Sequence, residues 1–181
     1  TNVTITGMKI LGIETSCDET AAAVVEDGVR LCSNVVSSQM LDFAAYGGVI
    51  PEIAARSHIE IMLPVVQKAL DDAGCTWDDI DAIAVTYGAG LGGSLLVGVL
   101  TARTLAIAKS KPLYACNHVE GHIYANFLTE TTLEGYKLPV SQPEFPMLGL
   151  IVSGGHSQLV LWRDHFDYTL LGQTVDDAIG E

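Results

Sequence analysis

Lys9 to Val25 reads KILGIETSCDETAAAVV, and the reading of this stretch decides the fold. Two short aliphatic runs, KILGI and AAAVV, flank the polar loop ETSCDET, which is the pattern of two strands joined as a hairpin. Met147 to Trp162, MLGLIVSGGHSQLVLW, has the same layout of apolar strand, small polar turn and apolar strand. A unit of this kind recurring at such a distance points to two related lobes, each opening with a hairpin.

The segments between the two hairpins suit an α/β architecture. A third strand is expected over Leu31 to Ser37, after the Asp27-Gly28 turn. Pro51 stands where a helix would begin, and Ile53, Ala54, Ile61, Leu63, Val66 and Leu70 carry the apolar pattern to a stop at Gly74. Pro64 lies inside that pattern, so a kink or two consecutive helices are expected. Ile80 to Thr86 reads as a buried strand, followed by the glycine-rich YGAGLGGS and the long apolar run SLLVGVLTARTLAIAKS, an order of strand, loop and helix. A short strand over Pro112 to Cys116, a helix over His118 to Leu128 and a polar loop from Thr129 to Glu144 lead to the second hairpin. The expected organisation is a tag or short extension over 1–7, a first lobe with a helical insertion over 8–112, and the start of a second lobe over 113–181. That second lobe is expected to be truncated, because the sequence stops within VDDAIGE, which reads as the start of a helix.

Composition narrows the function. With 49% hydrophobic and 17% charged residues in 181, the chain can bury a substantial core. A net charge of −13, from 22 acidic against 9 basic residues, argues against a broad phosphate-binding face, so a polynucleotide substrate would be held mostly by other surfaces. Cys17, Cys32, Cys75 and Cys116 form no CxxC pair and read as reduced thiols of a cytoplasmic protein. The most apolar stretch, Leu91 to Ala108, contains Gly92, Gly93, Gly98 and Arg103, which argues against a membrane span. A leader of charged then apolar residues is not expected either.

Three loops and one short helix carry candidate chemistry. ETSCDET offers the hydroxyls of Thr15, Ser16 and Thr20 and the carboxylates of Glu14, Asp18 and Glu19, and reads either as a polar hairpin turn or as a ligand loop. In SGGHS the paired glycines let backbone approach a ligand closely, with Ser153, His156 and Ser157 around them. YGAGLGGS lacks the Lys-Ser/Thr ending of a P-loop and reads as a loop feeding a helix capped by Ser94. His58 reads as an exposed or core-edge histidine. HVEGH, residues 118 to 122, places two imidazoles at i and i+4, about 5–6 Å apart on one helix face. Both could reach one metal ion, and the same spacing also suits the polar face of an ordinary helix. Glu120 lies off that face and does not occupy the position of the HExxH base.

GIETSCDET, YGGVIPEIAARSH, HVEGH, VSGGHSQL and DDAIGE, in this order, closely resemble the N-terminal half of the TsaD family, the tRNA N6-adenosine threonylcarbamoyltransferases, once described as O-sialoglycoprotein endopeptidases. The resemblance runs from Met8 to Glu181. It implies the actin-like ATPase and sugar-kinase fold, two ribonuclease-H-like lobes with mixed sheets flanked by helices, here with the second lobe incomplete. The implied reaction moves a threonylcarbamoyl group from threonylcarbamoyl-adenylate to N6 of the adenosine beside the anticodon in tRNAs reading ANN codons. The family's paired metal-binding histidines fall on His118 and His122, with Fe2+ or Zn2+ as the ion. Its adenylate-contacting stretch falls on Ile151, Val152, Ser153, Gly154 and Gly155, with His156 beside it. Glu14, Ser16, Asp18 and Glu19 line the cleft as candidate catalytic residues, and an ATP-type nucleotide with Mg2+ is a further implied ligand. Implied partners are tRNA, a TsaB-like paralogue docking through helices of the first lobe, such as that over Leu95 to Ala108, and a TsaE-like ATPase. Where the family usually has GPGL this chain has Gly88, Ala89, Gly90 and Leu91. A third metal ligand, an aspartate, belongs to the family's C-terminal half, so this segment alone is expected to be inactive.

Two rival readings fit the residues less well. A metalloendopeptidase would need a carboxylate placed to activate a metal-bound water, which HVEGH does not supply. A non-catalytic scaffold paralogue would be expected to lose the paired histidines, and here both are present.

Overall fold

The computed structural model of the chain describes residues 7–39, 48–153 and 157–175. β1 (Lys9–Glu14) and β2 (Glu19–Glu26) form the expected antiparallel hairpin, with Ile13 opposite Ala22 and Glu14 opposite Ala21. β3 (Arg30–Ser38) extends it after the turn at Asp27 and Gly28. Because side chains alternate across a strand, Leu11, Ile13, Ala22 and Val24 are buried on one face. Gly12, Ala21 and Ala23 line a hollow on the other.

α1 (Pro51–Asp72) covers the buried face, presenting Ala54, Met62, Val65, Val66, Ala69 and Leu70 at helical spacing. It is one uninterrupted helix, not two. Pro64 lies on its exposed side, where water can serve the carbonyl that proline leaves without an N–H donor. Gly74, with φ of +62°, follows the last turn, as the sequence suggested.

β4 (Ala82–Gly88) runs parallel to β1, two residues later than expected, and leads to α2 (Gly92–Lys109). Ser94 is not the cap: Leu91 holds that position with no side-chain hydrogen bond, and Ser94 lies buried inside the first turn. The inward stripe of α2 is Ser94, Gly98, Ala102 and Ala106, small residues that let the helix lie close to the sheet. Leu96, Leu100 and Ile107 point outward. By length and composition alone α2 could cross a membrane, but one side of it packs on β4 and α1.

β5 (Leu113–Asn117) is parallel to β4 and passes directly into α3 (His118–Tyr124), followed by a single 3-10 turn over Ala125–Phe127. β6 (Glu130–Thr131) then pairs with β3, so the first sheet has the order β5-β4-β1-β2-β3-β6. The first sheet therefore reaches Thr131, and the division drawn from the sequence after residue 112 falls inside it. The second sheet starts only at β7 (Met147–Val152), which pairs antiparallel with β8 (Ser157–Asp164) as expected. β9 (Asp167–Gln173) completes it, a strand that the sequence pattern does not announce. All seven of its residues are exposed, so they carry no alternation of buried and polar positions.

Two cores follow from this arrangement. The larger joins the first sheet to α1 and α2 through Leu11, Val24, Met62, Leu70, Ile83 and Ala102. The smaller joins α3 to the second sheet through Ile123, Ile151, Val160 and Trp162. Gly154, Gly155, His156, the beginning of YGGVIPEIAARSH and the DDAIGE segment lie outside the described residues.

Candidate functional site

Three parallel strands end side by side, β1 at Glu14, β4 at Gly88 and β5 at Asn117. The carboxyl ends of parallel strands are where α/β sheets bind ligands, because the chain must leave the sheet there and opens a crevice. Each strand end contributes a side chain to one cluster. β1 supplies Glu14, β4 supplies Thr86, and β5 hands over to α3, whose first residue is His118.

α3 is short, and its start is secured locally. The Asn117 side-chain oxygen accepts hydrogen bonds from the backbone N–H groups of Val119 and Glu120, at 2.8 and 3.3 Å. Such a cap satisfies donors that the first turn leaves unpaired. His118 and His122 then share one face, with their Nε2 atoms 3.1 Å apart and their rings at 86° to each other. On the opposite ring nitrogen, His118 Nδ1 lies 3.3 Å from Glu14 Oε2 and 3.2 Å from Ser16 Oγ. A carboxylate only accepts hydrogen bonds, so the proton sits on Nδ1 and the His118 Nε2 lone pair faces His122.

The charge states fit this assignment. Burial alone would raise the Glu14 pKa, but hydrogen bonds from Ser16 and Thr86, helped by His118, bring it below the ordinary carboxylate range. Glu14 is therefore ionised near neutrality. Burial, followed by the neighbouring His118, pushes the His122 pKa below its ordinary value, so its imidazole stays neutral. Neutral imidazoles are the form that binds a metal.

Of the four ETSCDET residues expected to line the cleft, Glu14 and Ser16 converge on His118. Asp18 is half-buried beside the Cys17 thiol, whose pKa rises through burial and the Asp18 carboxylate. Glu19 is exposed at the start of β2, and neither acid bonds to a histidine of the pair among the described contacts. Glu120 does not support the pair either: its carboxylate accepts a hydrogen bond from the Tyr168 hydroxyl of β9, at 2.7 Å. The carboxylate behind His118 comes from Glu14, more than a hundred residues away in the sequence.

Ile151, Val152 and Ser153 lie across a cavity of about 260 Å³ from His118, His122 and Asn126. Ile151 is buried against Ile123, while Val152 and Ser153 are exposed. Both histidines also border a second hollow, of about 460 Å³, over Gly12, Glu14 and Thr86 of the first sheet. Among the described residues no group of three or more His, Cys, Asp or Glu is arranged to hold a metal ion.

His58 is a residue that the sequence pattern misplaces. It is fully buried, not at a core edge, and its ring is saturated with partners. Nε2 donates to the Cys17 carbonyl at 3.0 Å, and Nδ1 accepts from the Thr20 hydroxyl at 2.6 Å and the Gln39 amide at 3.3 Å. Burial lowers its pKa, so the ring is neutral and braces the ETSCDET turn from the side of α1. An isolated histidine on a helix gives no sign of this, because its partners lie in β2, in the turn before it and just beyond β3.

With the site in place, comparison with known proteins decides the family. A family model described as "TsaD: tRNA N6-adenosine threonylcarbamoyltransferase" matches residues 30–181. The chain belongs to the TsaD family. A relative from Thermomicrobium roseum named tRNA N6-adenosine threonylcarbamoyltransferase is 58% identical over 174 residues, which cover 96% of this chain and 47% of the relative. Another of the same name from Symbiobacterium thermophilum is 55% identical, covering 95% and 48%. The chain thus spans about half the length of the curated TsaD relatives it matches. Among solved structures, YeaZ from Pseudomonas aeruginosa superposes with a TM-score of 0.52 at 18% identity, covering 92% of this chain and 66% of that one. That likeness carries the fold: an actin-like α/β arrangement of mixed sheets flanked by helices.

Proposed function

We propose that this chain supplies the N-terminal portion of a cytoplasmic tRNA N6-adenosine threonylcarbamoyltransferase. The transfer takes a threonylcarbamoyl group from threonylcarbamoyl-adenylate to N6 of the adenosine beside the anticodon in tRNAs reading ANN codons, with AMP as the leaving group. The observation that carries this reading is the convergence of His118 and His122 Nε2, 3.1 Å apart, on a cavity bordered by Ile151 to Ser153.

The donor set fits a divalent ion, Fe2+ or Zn2+. Two imidazole nitrogens at this separation can each lie about 2.0–2.1 Å from one ion at an ordinary coordination angle. Glu14 behind His118 is the carboxylate partner that metal-bound histidines commonly have, fixing the tautomer and the ring orientation. A bound ion would polarise the carbamoyl carbonyl as a Lewis acid. His118 and His122 supply only two ligands, so the remaining ones come from outside this segment or from substrate. Ile151 to Ser153, with the adjoining Gly154, Gly155 and His156, would hold the adenylate side through backbone donors. An ATP-type nucleotide with Mg2+ would occupy the same cleft. Glu14 and Ser16 act by orienting His118, and Asp18 and Glu19 would line the approach to the turn.

The partner reading rests on α1 and α2. Between them runs an apolar groove of about 380 Å³ bordered by Ile59, Leu63, Val97 and Leu100, suited to helices of a TsaB-like paralogue. A TsaE-like ATPase would join that assembly. The acidic composition leaves most of the tRNA contact to other surfaces. A peptidase role is disfavoured, since the Glu120 carboxylate is engaged by Tyr168.

The test is transfer of labelled threonine from threonylcarbamoyl-adenylate to tRNA by the full-length protein with its partners. His118→Ala and His122→Ala should each lower transfer by about 100-fold or more. Undiminished transfer by either variant, or none by the wild type, would refute the reading.

A further inference from the structure

The last residue of β1 and the two that follow it divide their side chains between two neighbours. Glu14 and Ser16 reach His118. Thr15 between them points the other way, as alternation along an extended chain requires. Its hydroxyl donates to the Ser94 carbonyl in the first turn of α2, at 2.8 Å, and both residues are fully buried.

α2 is shaped to receive this side chain. Gly98, one turn further along, faces Thr15, and a Cβ at that position would overlap the Thr15 hydroxyl and crowd its Cβ and methyl carbon. The loop before the helix closes on the next residue in the same manner. Leu91 N–H donates to the Ser16 carbonyl at 2.7 Å, and Gly90, with φ of +154°, lies where a Cβ would come within 2.5 Å of that oxygen. Gly98 thus lets α2 close on the Thr15 side chain, and Gly90 lets its leading loop close on the Ser16 backbone.

We propose that Thr15, seated in the Gly98 socket, is a positioning residue for the histidine pair: it sets the depth at which Glu14 and Ser16 are presented and thereby holds the His118 proton on Nδ1. The proposal deepens the metal-site reading, and it rests on that reading only for its consequence in metal binding. The chain of contacts runs from α2 through Thr15 to the Glu14 and Ser16 side chains, and from these to His118, leaving Nε2 with its lone pair toward His122.

The experiment uses the intact protein, stripped of metal, with 15N-labelled histidine. NMR of the imidazole nitrogens at mildly alkaline pH reports which ring nitrogen of His118 carries the proton, and titration with Zn2+ alone reports affinity. Wild type should show the proton on Nδ1, and Thr15→Ser, which keeps the hydroxyl, should match it. Thr15→Val, which keeps the shape and removes the donor, should shift the proton toward Nε2 and weaken Zn2+ binding about tenfold. Gly98→Ala, which keeps the hydroxyl and fills the socket, should do the same. A folded Thr15→Val protein with unchanged tautomer and Zn2+ affinity would overturn the proposal, leaving Thr15 a purely structural residue. If Thr15→Val does not fold, Gly98→Ala decides in the same terms. A tautomer that follows Thr15 in a protein with no affinity for Zn2+ would uphold the positioning and remove the metal reading.

Discussion

Glu14 and Glu120 each offer a carboxylate for a role beside the paired histidines, and tertiary contacts separate them. Glu120 is two residues from each histidine yet faces β9, while Glu14 arrives from the other end of the chain through the first sheet. His58 makes the same point for a buried group, and it carries a pH prediction. Its folded pKa lies below the ordinary value of about 6.5, so the unfolded chain binds the proton more readily than the folded one. The stability it contributes is complete above about pH 6.5 and is lost as pH falls from there through the folded pKa. His122 has a shift of the same sign and adds to the slope. Thermal midpoints measured across this range should therefore fall toward acid, and His58→Gln should flatten part of the fall. An equal slope in wild type and variant would show that His58 is not its source. His58→Ala, which strands the Thr20 hydroxyl and the Cys17 carbonyl, should cost about 1–3 kcal/mol in denaturant unfolding.

At the scale of single elements, α3 is the most exposed to local change. Seven residues are too few to form a stable helix alone, so the Asn117 cap and the packing of Ile123 must hold it. Asn117→Ala should lower stability by about 1 kcal/mol, and Asn117→Asp should restore most of it, as urea unfolding would report. α1 is sustained by its buried stripe instead. Met62→Ala, at 1% exposure in the centre of the larger core, should cost about 2–5 kcal/mol. The elements most legible in the sequence are β1, β2 and α1, each with one buried face, and β4, a continuous apolar run buried on both faces. β9 and the two-residue β6 escape notice there, since a fully exposed strand and a pairing of only two residues with β3 leave no periodic signal.

For the whole molecule, the exposed apolar faces make the most direct prediction. Leu63 and Leu100, 60% and 52% exposed, line the groove between α1 and α2. Leu63→Lys and Leu100→Lys should leave stability within about 0.5 kcal/mol, while abolishing co-elution with a TsaB-like partner in size-exclusion chromatography. Leu95 is half-buried, so a change there would mix folding with docking, and these two positions separate the effects. Retained co-elution in both variants would move the partner surface elsewhere.

The sequence by itself determined the two hairpins, the α/β order, the pairing of His118 with His122 on one helical turn, and the ordered motifs that carry the likeness to the family. These are local properties: strand and helix periodicity and short-range spacing are written in consecutive residues, whatever lies across the fold. Only the tertiary structure decided that β5 and β6 complete the first sheet, that Glu14 stands behind His118, and that Thr15 is seated against Gly98. The side-chain contacts and the β3–β6 pairing join residues some eighty to a hundred positions apart. The side-chain contacts depend on the parallel pairing of β1, β4 and β5, which brings three strand ends to one crevice, and hydrogen-bond register across a parallel sheet leaves no pattern within any one of its strands.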